Sequence, residues 1–395
     1  MKITNVEPIM VVGPVFEKPF WTSLNRMGRI NELVVRVYTS EGIVGIGEAH
    51  VYGIEHRHTE HATSPQMGRD TARLSDARVL VTEGLKPLLV GEDPLDTERL
   101  WSKMFTLTYK RGWAQSGWNR QLILGAIGGV DIALWDIKGK AANMPVYKLL
   151  GGYRNRVPCY VTGGYYQEGK TNSDLVRECE SYVDMGYNAI KLKVGGLSVE
   201  EDVARVRTVR EALGPDIDIM LDVNEAYDVP TAIRAARAFE PLGIRWLEEP
   251  VHWYDRVEGL RQVAEATSIP IASGEQTLNR WEARDLVLRG GIKLMQFDCT
   301  RAAGVTEWLK VAGMCAAQNV RMAPHHDPQI HGHLVAAVPN GEILETFPDS
   351  ARDPIWAELF SVRPDIKGGE LELLDRPGWG LELDEKTLER RGLPA

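Results

Sequence analysis

Seven ionisable residues recur in the second half of this chain at intervals of 20 to 31 residues: Lys191, Asp222, Glu248, Glu275, Asp298, His325 and Glu345. Each lies on or at the end of a short β-rich run, where packing alone would call for an apolar side chain. Asp222, Glu248 and Glu275 close three successive runs. Packed together without a cation, three carboxylates repel one another and their pKa values rise. A hard dication resolves that repulsion. Oxygen-only donors favour Mg²⁺, with Mn²⁺ as the alternative, whereas zinc draws His or Cys. The competing reading is three separately solvated acids, but a buried strand end does not tolerate unpaired charge.

Lys191 and Lys193 are two residues apart, so both face the same side of a strand. Two adjacent ammonium groups lower each other's proton affinity, and burial adds to that. This predicts a lysine that is neutral near physiological pH and able to act as a base. Asp298 and His325 end neighbouring runs. A carboxylate beside an imidazole fixes its tautomer and raises its basicity, which supplies a second acid or base. Glu345 on the last run could share a proton with an enolate oxygen if its pKa is raised. Taken singly, His326, His331 and His333 read as structural.

The elements that must position these groups alternate. β-rich runs at Pro158–Thr162, Ala189–Val194, Ile217–Val223, Arg245–Leu247, Ile269–Ser273, Leu294–Phe297, Val320–Ala323 and Ile343–Thr346 are separated by amphipathic stretches. Those stretches include Ser198–Leu213, Val229–Phe239, Trp253–Ala266, Arg280–Arg289 and Gly304–Gln318. Strand-helix alternation implies parallel strands, and eight of them close into a TIM-type barrel whose C-terminal rim carries the chemistry. The N-terminal part is α+β instead. It has a strand at Lys2–Val12, a hairpin turning at Ser40-Glu41-Gly42, a helix beginning near Asp93-Pro94, and a longer helix from about Arg120 to Ala141. His56, His58 and His61 fall in a polar stretch that reads as a solvated or substrate-facing loop.

At 395 residues the chain exceeds one ordinary core, and 26% charged with 44% hydrophobic residues is globular composition. A net charge of −9 argues against nucleic acid or an anionic membrane as partner. No apolar run is long enough to span a bilayer. Met1 to Gly13 lacks the regions of a signal peptide. Cys159, Cys179, Cys299 and Cys315 show no C-x-x-C spacing and read as reduced thiols, which suits a cytoplasmic protein.

The segments Lys191-Leu192-Lys193, Leu221-Asp222-Val223-Asn224, Trp246-Leu247-Glu248-Glu249-Pro250 and Ser273-Gly274-Glu275 resemble the enolase superfamily, mandelate racemase subgroup. So do Asp298 with Gly304-Val305-Thr306, Ala323-Pro324-His325, Leu344-Glu345, and the helix around Gly128-Gly129-Val130-Asp131. The resemblance covers nearly the whole chain. It implies a (β/α)₇β barrel over residues 126–349 and an α+β cap over residues 1–125, completed by the tail 350–395. It implies one Mg²⁺ per subunit on Asp222, Glu248 and Glu275. Lys193 is then one base, with Lys191 tuning it and contacting the substrate carboxylate. The His325–Asp298 dyad serves the opposite face, and Glu345 hydrogen-bonds the enediolate. Specificity loops map to about residues 16–28 and 50–61; Trp21, Arg26 and His50 on them, with Lys191 and Asn224 on the barrel, are the substrate-binding candidates. Family habit adds a homo-oligomer.

Two departures narrow the expectation. Galactonate- and mannonate-dehydratase-like members carry a His where this chain has Asn224, and cycloisomerase types lack the His325–Asp298 dyad. The expected reaction is dehydration of an acid sugar to a 2-keto-3-deoxy acid. Racemisation or epimerisation of a 2-hydroxy acid by the same bases is the alternative, and a non-catalytic scaffold is a remote one. The polar residues Asn25, Arg26, Arg29, His56, Arg57 and His58 suit a polyhydroxylated acid. Gly163-Gly164-Tyr165-Tyr166 with Gln296-Phe297-Asp298-Cys299 adds tartrate or another aldaric acid to the candidates, beside pentonates and hexonates.

Overall fold

β1 (Ile3–Val12) alternates buried and part-exposed residues, as a strand with one covered face must. A short hairpin follows, β2 (Phe20–Trp21) with β3 (Arg26–Met27). β4 (Asn31–Thr39) then pairs antiparallel with β1 and with β5 (Val44–Ala49), turning through Gly42 at φ 79°. The computed structural model describes residues 1–50, 75–109, 118–350 and 352–393. The expected loop carrying His56, His58 and His61 lies outside them.

The helix Arg120–Ala141 starts on an Asn119 cap that accepts from Leu122 N at 2.8 Å. It presses against the β4–β5 hairpin. A Cβ on Gly47 would stand 1.9 Å from the Gly129 carbonyl oxygen, so glycine is what lets strand and helix approach. Asp136 then accepts from Ile46 N and from Trp379 N, both at 2.9 Å. Asp131 accepts from Thr306 N at 2.9 Å and from Thr306 Oγ1 at 2.7 Å. The expected junction at residues 125–126 falls inside this unbroken helix, which serves cap and barrel together.

The barrel strands are β6 (Arg156–Gly163), β8 (Ala189–Lys193), β9 (Asp218–Asp222), β10 (Ile244–Glu248), β11 (Ile271–Ser273), β12 (Leu294–Met295), β13 (Arg321–Met322) and β14 (Leu344–Thr346). A short β7 (Tyr166–Gln167) leaves the barrel to pair with β2. Neighbouring strands from β6 to β13 pair in parallel, and β14 returns to β6. The seam between β13 and β14 closes through a parallel bridge from Met322 to Gly341. Tyr160, Ala189, Met220, Trp246, Ala272, Leu294, Ala323 and Ile343, one from each barrel strand or its end, form an apolar plug inside the barrel. On β8 the residues alternate: Ile190 and Leu192 join the outer core, while Lys191 and Lys193 carry charge inward.

Helices fall where the periodicity places them. The Ser198–Glu201 capping box starts Val199–Leu213, and Arg280–Arg289 starts on Asn279. One stretch divides: His252 Nδ1 accepts from Tyr254 N, making a separate turn at Trp253–Asp255 before the helix Glu258–Ala266. The tail is shared rather than given wholly to the cap. β15 (Glu370–Glu372) pairs antiparallel with barrel strand β6, and β16 (Gly392–Leu393) with cap strand β1. Among the described residues no helix is long and apolar enough to cross a membrane.

Candidate active site

Asp222 and Glu248 are the last residues of β9 and β10, and Glu275 follows β11 after Gly274, whose φ of 129° turns the chain. One carboxylate oxygen from each lies within 4.8 Å of the others, and all three side chains are buried. The backbone leaves these strand ends under strain. Asn224 (φ 47°), Glu225 (63°), Glu249 (39°), His326 (54°) and Asp327 (44°) all sit in the left-handed region without being glycine. Each such residue costs on the order of 1 kcal/mol, a burden that clusters at functional sites.

Lys191 is wholly buried, 2.7 Å from Glu248 and 2.9 Å from Glu345. Lys193 bonds to Asp222 and stands over the Tyr165 ring at 5.5 Å. With no dication beside Asp222 and Glu248, the carboxylates hold both lysines as ammonium ions, so the neutral base expected from the sequence requires the metal's charge in the triad. Burial does push Lys193 down, but Asp222 and the phenol of Tyr165 outweigh it and raise its pKa; Lys191 is raised by Glu248 and Glu345 in the same way. Glu345 is held down in the same metal-free group. Burial pushes its pKa up, yet Lys191, His325, Lys193 and the Thr162 hydroxyl hold it well below the carboxylate range. It is an acceptor, taking His326 N at 3.0 Å.

His325 Nδ1 lies 2.9 Å from Asp298 Oδ2, and its Nε2 faces Glu275 at 3.7 Å. Asp298 also accepts from Thr300 N at 2.8 Å and Thr300 Oγ1 at 2.7 Å. Burial raises its pKa, but the bond from His325 and the nearby His331 bring it below the usual value. As expected, His331 and His333 are structural. His331 accepts from Cys299 N at 3.0 Å, and His333 bridges Tyr147 N and Trp379 O. His326 departs from that expectation, for it borders the cavity above the triad.

That cavity, of about 550 Å³, is bordered by Lys193, Asn224, Glu275, His325 and Glu345 from the barrel and by Thr22, Asn25, Met27 and His50 from the cap. Asp222, Glu248, Asp298 and Lys191 lie in the fully buried layer around it. His50 and Asn224, two of the substrate-binding candidates, border it. Trp21 and Arg26 do not border this cavity. They form a cross-strand pair on the hairpin, Arg26 stacking over Trp21 at 5.3 Å, while the alternate residues Thr22, Asn25 and Met27 face inward. Strand parity decides this, and a two-residue strand is too short to reveal its parity in sequence. The sequence reading named Tyr165 only as part of a motif and passed over Arg301 and Arg352. Arg301 bonds Gln276 Oε1 at 2.6 Å and approaches Glu275 at 3.6 Å; its place three residues past Asp298 was the available signal.

The donor set fits a dication. Three carboxylates converge from consecutive strands, no His or Cys is among them, and burial with the neighbouring Asp222 pushes Glu248 up to about 7 even with Lys191 beside it.

Residues 6–151 match the family described as mandelate racemase / muconate lactonizing enzyme, N-terminal domain, and residues 174–387 match enolase C-terminal domain-like. The chain belongs to the enolase superfamily. This superfamily member is 35% identical to the arabinonate dehydratase of Saccharolobus solfataricus over 90% of its own length and 89% of the relative's. It is 36% identical to the L-talarate/galactarate dehydratase of Salmonella typhimurium, covering 76% and 72%. Among solved structures, a mandelate racemase/muconate lactonizing enzyme from a marine actinobacterium in complex with magnesium superposes with a TM-score of 0.85 at 34% identity, over 100% and 99% of the chains. L-talarate dehydratase from Polaromonas sp. JS666, complexed with Mg and L-glucarate, gives 0.82 at 31%, over 100% and 98%.

Proposed function

We propose that this superfamily member is a Mg²⁺-dependent dehydratase of acid sugars, forming 2-keto-3-deoxy acids. One observation carries the reading: Lys193 and the Nε2 of His325 border the same cavity, from strands on either side of the three that supply the carboxylate triad. The dehydratase names of its relatives, together with magnesium and an acid sugar in related structures, supply the substrate class.

Asp222, Glu248 and Glu275 would hold the Mg²⁺, which supplies positive charge to a substrate carboxylate that gains a second negative charge as the α-proton leaves. Asp298 orients His325 so that Nδ1–H points away from the cavity and Nε2 toward it. Lys193 or His325 takes the α-proton, and the C–H electron pair becomes the enol double bond. The β-carbon–oxygen bond then breaks, His325 gives a proton to the departing hydroxyl, and water leaves. The enol tautomerises to the keto acid. Lys191 and Glu345, 2.9 Å apart, set the charge beneath the reacting atoms.

A panel of acid sugars incubated with protein and Mg²⁺ tests this by 2-keto acid formation. Deuterium uptake at the α-carbon in D₂O without keto acid would transfer the assignment to racemisation or epimerisation, which needs the same two bases and no leaving group. Neither signal across the panel would sink both.

A further inference from the structure

Arg352 lies beyond the last barrel strand and borders the main cavity. Its guanidinium is boxed by aromatic rings: Phe347 at 4.5 Å, Phe20 at 4.8 Å and Tyr165 at 4.8 Å. Nη2 donates to the Tyr165 hydroxyl at 2.8 Å. Nε and Nη1 are closed off from solvent and have no hydrogen-bond partner among the described residues. Other cations around the cavity are matched. Arg256 pairs with Glu282 at 2.7 Å, Lys193 with Asp222, and Arg301 meets Gln276 and Glu275. Two acids that act on its charge are engaged elsewhere: Asp353 accepts from Trp356 N at 3.0 Å and Glu345 is held by Lys191.

Ring faces hold a cation without cancelling its charge, and a cation kept out of water without an anion is unfavourable. A guanidinium presents a planar fork that matches a carboxylate with two parallel bonds. Nη2 carries a second N–H besides the one given to Tyr165, and with Nη1 or with Nε beside it this makes a two-pronged edge for a carboxylate at the cavity wall.

We infer that Arg352 receives a second carboxylate of the substrate, so that this enzyme selects aldaric diacids over the corresponding aldonic monoacids. The inference rests on the acid-sugar reading above and names the subset of acids that the site takes.

Matched pairs of one configuration decide it, such as galactarate against galactonate and glucarate against gluconate, assayed with Mg²⁺ for kcat/KM. The diacid of the best pair is expected to exceed its monoacid by at least about ten-fold, and Arg352→Met to lower the diacid by about 100-fold while changing the monoacid by less than about three-fold. Arg352→Lys is expected to restore part of the diacid activity. An equal loss on both acids would make Arg352 a brace for Tyr165 and overturn the inference, as would a wild-type preference for monoacids; dehydration itself would stand in either case. If no acid is dehydrated, the reaction fails separately, and calorimetry on the Mg²⁺-loaded Lys193→Ala protein still decides about Arg352. Tighter diacid binding that disappears with Arg352→Met supports it; equal binding of both acids overturns it.

Discussion

Two groups of buried acids lie close together in this fold, and they are held in opposite ways. At the barrel rim, Asp222, Glu248 and Glu345 are interleaved with Lys191 and Lys193. At the seam between cap and barrel, Glu32 and Glu48 face Asp327 and Asp353, with His50, His326 and Gln329 among them, around a void of about 20 Å³. The outcomes differ accordingly. Glu345 stays well below the carboxylate range because ammonium groups touch it, and Asp327 because His326 and His50 do, whereas burial drives Glu32 and Glu48 well above it and lifts Glu248 where no dication joins it. Glu32 Oε1 has no partner among the described residues. Burial alone does not make a buried acid useful. A neighbouring cation, or room for one, separates a charged centre from a neutral filling.

The largest effect expected from breaking this contrast comes at the rim. Glu248→Gln removes a ligand without removing volume, and kcat is expected to fall by about 10⁴-fold or more, with magnesium affinity lost in calorimetry. Lys193→Ala and His325→Asn are each expected to cost about 10²–10⁴-fold in kcat while leaving magnesium binding in place. Retained turnover in both variants would show that the contrast is only electrostatic decoration.

The seam sharpens the comparison through pH. Glu32 and Glu48 have folded-state pKa values above those of the unfolded chain. The folded state therefore binds more protons above about pH 4.5, and its stability falls as pH rises from there toward the folded values. Glu32→Gln with Glu48→Gln removes that dependence. The double variant is expected to gain on the wild type with rising pH, by on the order of 1 kcal/mol per acid in denaturant titrations. A gap that does not change with pH would mean that both acids are charged in the fold.

The smallest effect belongs to Asp131, which burial pushes up to about 7 although Thr306 donates to it twice. Its contribution is present at low pH and wanes between about pH 4 and 7. Asp131→Asn is expected to flatten that window in melting curves while leaving activity near the wild-type level.

The barrel and its reactive rim were legible because both repeat. Lys191, Asp222, Glu248, Glu275, Asp298, His325 and Glu345 report their own strand ends, and the helix Arg120–Ala141 appears at the expected bounds. Protonation was less legible. The pair Lys191 and Lys193 looked mutually repulsive along the chain, but the carboxylates that reverse the effect come from strands 29 and 57 residues away. Cap residues were read least well. Trp21 and Arg26 have the right composition for a substrate wall, but the parity of a two-residue strand turns them outward. Arg352 belongs to no repeat, so only three-dimensional packing reveals it.

The helix Arg120–Ala141 has a mechanical consequence. Asp136 fastens it to Ile46 of the cap and Trp379 of the tail, and Asp131 fastens it to Thr306 of the barrel. A clamshell opening would have to break these buried bonds together. The two halves are therefore expected to come apart together, which calorimetry would read as one transition rather than two.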